Sequence, residues 1–425
     1  MRPLFIFLIA FVGTIALNGA EVEAAEPTED VRIANDQAYL DLSAVIESAV
    51  SRHPDAAGLA IQGRADEVRE RRSGWWLGAA PSMQLRYQSD EVGSDLGAEE
   101  WETMLSLPLT PPGERAARQK AARLQSMASD AEARAVYLRI AGEVREAIWE
   151  ARLAQVEVEH AALGYDLARA VENAVRRRVE EGDLPANDLA LAQADLLARE
   201  MDVIDAEAER NHTMRRFAII TGLNRLPDSY EETLATGAGH DGEDFQINDD
   251  HPVIALLQAK RHVAAAETRL AKRYWVTKPS VGVGMRSERS FANGPNVKAA
   301  GVQLSVPFDF GGFNGEQTSR ALQGEATAER ELLYSRRQLA MALHDAEQSL
   351  EMAQRAQKVA LEHDRIGARA LASARRSFDM GESDLMHYLN VQNQARQAGL
   401  VNAKRRLEVS RAIARLNQAM GQLPQ

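Results

Sequence analysis

TMLSLPLTPPGERAA (Thr103–Ala117) and VQLSVPFDFGGFNGE (Val302–Glu316) stand 199 residues apart and read alike. In each, an alternating apolar run ends at Leu-Ser-Leu-Pro or Leu-Ser-Val-Pro, a Pro- or Gly-rich break follows, and a long Gly-poor, Pro-free run begins. The offset, held at 198 or 199, extends in both directions. Upstream, His53-Pro54 recurs as His251-Pro252, and Trp75-Trp76 with Pro81-Ser82 recurs as Tyr274-Trp275 with Pro279-Ser280. Downstream, Gly182 recurs as Gly381, Gln193 as Gln392 and Gly222 as Gly421. A register held this long marks an internal duplication. The copies are expected at 40–227 and 251–423, joined by an acidic, Gly-containing linker at 228–250.

Within each copy the periodicity changes in the same order. A helical segment (about Leu40 to Gly74, then Pro252 to Tyr274) precedes two stretches of strict alternation, the period of a half-buried strand. In the first pair, Met83, Leu85 and Tyr87 form one face, as do Trp101, Thr103, Leu105, Leu107 and Leu109. In the second, Val281, Val283 and Met285 match Val302, Leu304, Val306 and Phe308. Strands are predicted at about 82–89, 100–109, 280–287 and 298–308. The loops Ser89–Ala98 and Glu288–Asn296 carry the Gly, Asp and Asn residues of hairpins.

Long helices are predicted at 114–181 and 313–380. At 1.5 Å per residue each spans about 100 Å, several times the width of a compact domain. Their apolar stripe is narrow and built from small and aliphatic residues, as in Ile140, Val144, Ile148 and Ala151, which suits side-by-side helix packing. Gly182 and Gly381 fit the left-handed position that ends a helix. Asp183 or Ser383 is then placed to cap return helices over 184–220 and 384–419.

Composition narrows the function. The net charge of -12 repels nucleic acid, whose binding relies on Lys and Arg. The absence of cysteine excludes thiol chemistry, disulfides and lipid attachment through an N-terminal Cys. The apolar run Leu4–Leu17 is shorter than the ~20 residues a membrane helix needs. With small residues flanking Glu23, it reads as an export signal over 1–24. No later run is long enough to cross a bilayer as a helix, so membrane contact falls to the strands.

Four strands cannot span lipid alone, because every backbone polar group there must be paired. Three copies supply about 12 strands, an even number able to close. The fold class expected is mainly α with a small transmembrane β-barrel: a trimeric α-barrel beneath a 12-stranded β-barrel. Leu85, Tyr87, Leu105, Leu107, Val281, Val283, Val302 and Leu304 are the positions expected to face lipid. A secreted coiled-coil rod, with hairpins that serve only assembly, is the competing reading.

The duplicated order, the Leu-Ser-Val-Pro-Phe strand end, and the tips Glu181-Gly182-Asp183 and Met380-Gly381-Glu382 leading to Leu189 and Leu389 resemble the TolC family of outer-membrane factors. The resemblance runs from about Ser43 to Leu423. It implies a homotrimeric duct in outer-membrane lipid, extending into the periplasm, which docks with an adaptor protein and through it an inner-membrane pump. Gly182, Asp183, Asp188, Gly381, Glu382, Asp384, His387 and Asn390 are the tip positions it points to. The family's acidic constriction falls here on His387 and Asn390. Asp384 or Glu382 can supply the missing charge, or His387 can form a gate that changes charge with pH. Details around Met380–Leu385 and Phe308–Gly315 are similar to the heavy-metal and cation branch, so small molecules or metal cations are the expected cargo.

Other motifs are set aside. There is no His-x-x-x-His pair, and Gly311–Gly315 lacks the Lys-Ser/Thr of a phosphate loop. His53 and His251 read as helix boundaries before proline. The aromatic pairs Trp75-Trp76 and Tyr274-Trp275 suit either a membrane-interface girdle or a packed helix junction. No constellation calls for catalysis, a bound metal or a cofactor.

Overall fold

The computed structural model describes residues 39–234, 247–308 and 312–423. The chain divides at Tyr39, and every element below belongs to Leu40–Gln425. The export signal expected over 1–24 lies outside the described residues. In chain order the elements are α1 (Leu42–Arg52), α2 (Pro54–Ser73), β1 (Ser82–Ser89), β2 (Glu99–Pro108), α3 (Pro112–Glu180) and α4 (Ala186–Thr221). Then come α5 (Pro252–Arg273), β3 (Ser280–Arg289), β4 (Val297–Ser305), α6 (Gly315–Asp379) and α7 (Leu385–Ala419).

Several boundaries differ from the sequence reading, for local reasons. The segment Leu40–Gly74 is two helices, because Pro54 cannot continue α1 and His53 turns extended. The His53 side chain accepts a hydrogen bond from Asp55 N at 3.2 Å and caps α2. His251 does the same for α5, its Nδ1 accepting from Val253 N at 3.2 Å. Pro112 lies inside α3 rather than before it, since a proline in the first turn forfeits no helical hydrogen bond. β4 stops at Ser305, so Val306 and Phe308 fall beyond the sheet. Leu109 likewise lies past β2 and forms an isolated bridge with Leu77.

α3 has 69 residues and α6 has 65, which makes each about 100 Å long. Their inner stripe is buried as its spacing predicted. Ile140, Val144 and Ala151 have no exposed surface and Ile148 has 1%. Ile140, Val144 and Ile148 pack with Val45 and Ile46 of α1 and Phe217 of α4. The start of the expected linker is bound rather than loose. Leu40 N donates to Asp228 Oδ2 at 3.0 Å, and the guanidinium of Arg145, itself 4% exposed, forks onto Glu232 with two bonds of 2.7 Å. At the linker's other end Ile247 packs beside Leu343 and Leu350.

Candidate functional site

The four strands form one antiparallel sheet in the order β1-β2-β3-β4. Its register stacks like residues in rows. Met83 pairs with Leu105, Leu105 with Val283, and Val283 with Val302. The next row runs through Leu107, Val281 and Leu304, and another joins Tyr87 to Trp101, whose rings lie 4.4 Å apart. Successive strand residues point to opposite faces. All eight lipid-facing candidates, Leu85, Tyr87, Leu105, Leu107, Val281, Val283, Val302 and Leu304, therefore share one face. The opposite face carries Ser82, Ser106, Gly282 and Gln303 in one row, and Arg86, Glu102 and Arg286 in another.

The apolar face is bare within one chain: Val302 is 78% exposed, Leu304 68% and Leu85 59%. β1 and β4 are the outer strands, so each offers one unpaired backbone edge. A four-stranded sheet with one uncovered apolar face and two open edges is a surface that must be covered and edges that must be paired.

Where the sheet meets the helices, Glu114 of α3 is fully buried. Its carboxylate accepts from Lys278 Nζ at 2.7 Å to both oxygens, from Arg118 at 2.7 Å and from Trp275 N at 3.2 Å. The first copy's long helix is thereby tied to the second copy's entry into β3. Trp75 and Trp76 stand 54% and 55% exposed, so they do not fill a helix junction. Tyr274 and Trp275 are half-buried, with Lys278 Nζ 3.8 Å from the Tyr274 ring centre.

At the far end both long helices close in the same way. Gly182 has φ +85° and Gly381 φ +74°. Gly182 N donates to Val179 O and Asp183 N to Arg178 O. Gly381 N donates to Phe378 O and Glu382 N to Ser377 O. This pair of bonds is the glycine-ended helix stop that the left-handed residue allows.

The return helices differ from expectation in their caps. α4 follows Pro185 without any side-chain cap, because the proline's fixed φ already sets the entry. α7 is capped by Asp384 rather than Ser383, Asp384 Oδ1 accepting from His387 N at 2.8 Å. Asp183 is spent in the turn.

The tips of the two copies pack together. Val175, Ala192, Phe378, Leu385, Tyr388 and Leu389 form one core, flanked by Leu184 and Leu189. The Phe378 and Tyr388 rings stack 5.3 Å apart. Around this core Gly182, Asp183, Gly381, Glu382, Asp384, His387 and Asn390 are exposed, and Asp188 is half-buried. The tip candidates thus form the polar surface of a packed double hairpin. Among the described residues no group of three His, Asp or Glu side chains could hold a metal ion. No described helix is long and apolar enough to cross a membrane.

Sequence reasoning missed the Glu114 cluster and the Phe378–Tyr388 stack. An acidic residue in the first turn of α3 was visible, but its burial depends on Lys278, 164 residues away.

The profile of the outer membrane efflux protein family matches residues 45–223 and 247–422, most of the chain. No curated protein matches the sequence. Among solved structures, the outer membrane protein VceC of Vibrio cholerae is 15% identical, with 90% of this chain and 96% of that one covered and a TM-score of 0.69. CusC is 14% identical over 90% of this chain and 93% of that one, with a TM-score of 0.71. The open-state MtrE outer membrane channel of Neisseria gonorrhoeae is 17% identical over 90% and 89%, with a TM-score of 0.68. At these identities the likeness concerns the fold, and the family match carries the assignment. The chain belongs to the outer membrane efflux protein family and is an outer-membrane channel component, not an enzyme.

Proposed function

We propose that three copies close their sheets edge to edge into a 12-stranded barrel in the outer membrane. The helices α3, α4, α6 and α7 of each copy then form a tube that continues into the periplasm. The observation that carries this reading is the sheet itself: one bare apolar face, one polar face and two unpaired edges. Closure pairs every edge, as lipid requires. It turns Leu85, Tyr87, Leu105, Leu107, Val281, Val283, Val302 and Leu304 to the acyl chains, and the row Ser82–Ser106–Gly282–Gln303 to a wet bore.

The tip residues Gly182, Asp183, Asp188, Gly381, Glu382 and Asp384 form the docking rim for a periplasmic adaptor protein, which connects the duct to an inner-membrane pump. His387 and Asn390, within the first two turns of α7, line the entrance. The duct is passive, and its cargo is small solutes delivered by the pump. Purified protein in a planar lipid bilayer is expected to give stepwise, uniform conductance increments. Folded, detergent-extracted protein that never raises conductance would overturn the proposal.

A further inference from the structure

α7 has neighbours on two sides. Ala412 and Leu416 pack against Leu343 and Leu350 of α6. Toward α3, Lys404 pairs with Glu157, and both Arg411 and Arg415 pair with Glu146. Of the two remaining faces, one is covered. Asn417 is buried and donates to Glu232 Oε2 at 3.2 Å and Thr233 O at 3.0 Å, in the segment that follows α4.

The opposite face is open. His387, Asn390, Gln394, Gln397, Val401 and Arg405 recur every three or four residues and are all exposed. Glu408 and Arg415 extend the stripe. Arg415 lies two residues from Asn417, about 200° around the helix. A connecting segment cannot run through an open bore, so the covered face is the outer one and the open stripe faces the bore. This step rests on the conduit reading.

The stripe carries little acid. Glu408, its one carboxylate, is held by Arg405 at 2.6 Å. Beside it a groove of about 390 Å³ opens between α6 and α7, lined by Ser349, Met352, Arg405, Glu408, Arg411 and Arg415. Arg415 reaches Glu146 Oε1 at 2.9 Å, and Arg411 bonds the same oxygen. Two guanidinium groups share one carboxylate, so Arg405, Arg411 and Arg415 meet two carboxylates, Glu408 and Glu146, in and beside a partly enclosed groove. Burial, and then the charge of Arg415, push the Arg411 pKa below the usual guanidinium range. Arg415 and Glu146 also line the adjoining cleft with Asp345, Glu143, Arg139 and Arg216, where Arg139 pairs with Glu143 and Arg216 with Glu150.

We propose that this groove is an oxyanion subsite on the bore face of α7, taking carboxylate- or phosphate-bearing solutes in transit. The planar forks of Arg411 and Arg415 present paired N–H donors, the geometry that a carboxylate or phosphate accepts. Three copies place three such grooves at one height in the tube. The cargo this favours is anionic rather than cationic.

Inorganic phosphate is the probe. Wild-type channels conducting in potassium chloride across a planar bilayer should show concentration-dependent block of unitary current when phosphate is added. Arg411→Gln and Arg415→Gln should each raise the half-blocking concentration at least tenfold while leaving unitary conductance in chloride alone within twofold, which reports intact folding. Conducting wild-type channels that ignore phosphate, or equal block in wild type and both variants, would overturn the subsite. Protein that never conducts would overturn the conduit reading instead.

Discussion

Leu105 of β2 lies directly opposite Val283 of β3, in the register that joins the two copies of the repeat through their hairpins. Slipping that pairing by one residue would turn every apolar side chain of one hairpin to the other face of the sheet. The division into an apolar and a polar face therefore depends on this contact being held.

The two faces should respond differently to charge. Val283→Lys places an ammonium on the apolar face and is expected to destabilise the membrane-inserted protein by about 2–4 kcal/mol if the site is near the bilayer midplane. Gln303→Lys, on the opposite face, should cost much less. Urea unfolding of vesicle-inserted protein measures both, and equal losses would contradict the assignment of faces.

Glu114 should be among the least replaceable residues outside the sheet. Glu114→Gln keeps the shape but leaves the Lys278 ammonium buried without its counter-charge, a loss of about 3–5 kcal/mol for a broken buried pair. The double variant Glu114→Gln/Lys278→Met should recover part of that loss. Denaturant midpoints of the two single variants and the double variant give the coupling. Additive effects would show that the two groups do not depend on each other.

Gly381 and Gly324 both have open space around the position of an added Cβ, yet alanine should act in opposite directions. At Gly381 the positive φ makes an L side chain costly, by about 1–2 kcal/mol. At Gly324, inside α6, alanine should stabilise by about 0.5–1 kcal/mol through backbone entropy. Thermal midpoints of the two variants measured side by side make the comparison, and the same sign for both would refute it.

His251 should make the protein acid-sensitive. It is 3% exposed, and burial lowers its pKa in spite of an opposing interaction with the Ala419 backbone. Its Nδ1 must also stay unprotonated to accept the bond from Val253 N. With the folded pKa below the unfolded one, the unfolded chain takes up the proton first. Stability from this site is complete above about pH 6.5 and falls as the pH drops toward the folded value. His251→Asn, which keeps a capping oxygen, should lose less thermal stability than wild type between pH 7.5 and pH 5.5. An unchanged difference across that range would count against this role.

Much of the architecture was legible because it follows from period and punctuation. The 199-residue offset, the alternation at Met83–Tyr87 and Val281–Met285, and the left-handed glycines at 182 and 381 are local signals, and the structure carries each of them. Caps were harder to read. Asp183, Ser383 and Asp384 all offer a capping oxygen, and which one serves depends on a backbone angle set by neighbours such as Pro185. The Glu114–Lys278 pair and the Arg411–Arg415–Glu146 cluster join residues more than 160 positions apart. Along the sequence they look like ordinary solvated charge, and only the packing of one copy against the other brings them together. At the tip, Gly182, Gly381 and their polar neighbours were legible as exposed turns, whereas the Phe378–Tyr388 stack that supports them was not.

The most direct test is the mass of the purified protein in detergent, by light scattering corrected for bound detergent. The expected result is a particle of three chains that requires detergent to stay in solution. A stable single chain, soluble without detergent, would contradict it, because a sheet with two open edges and a bare apolar face would then be standing alone in water.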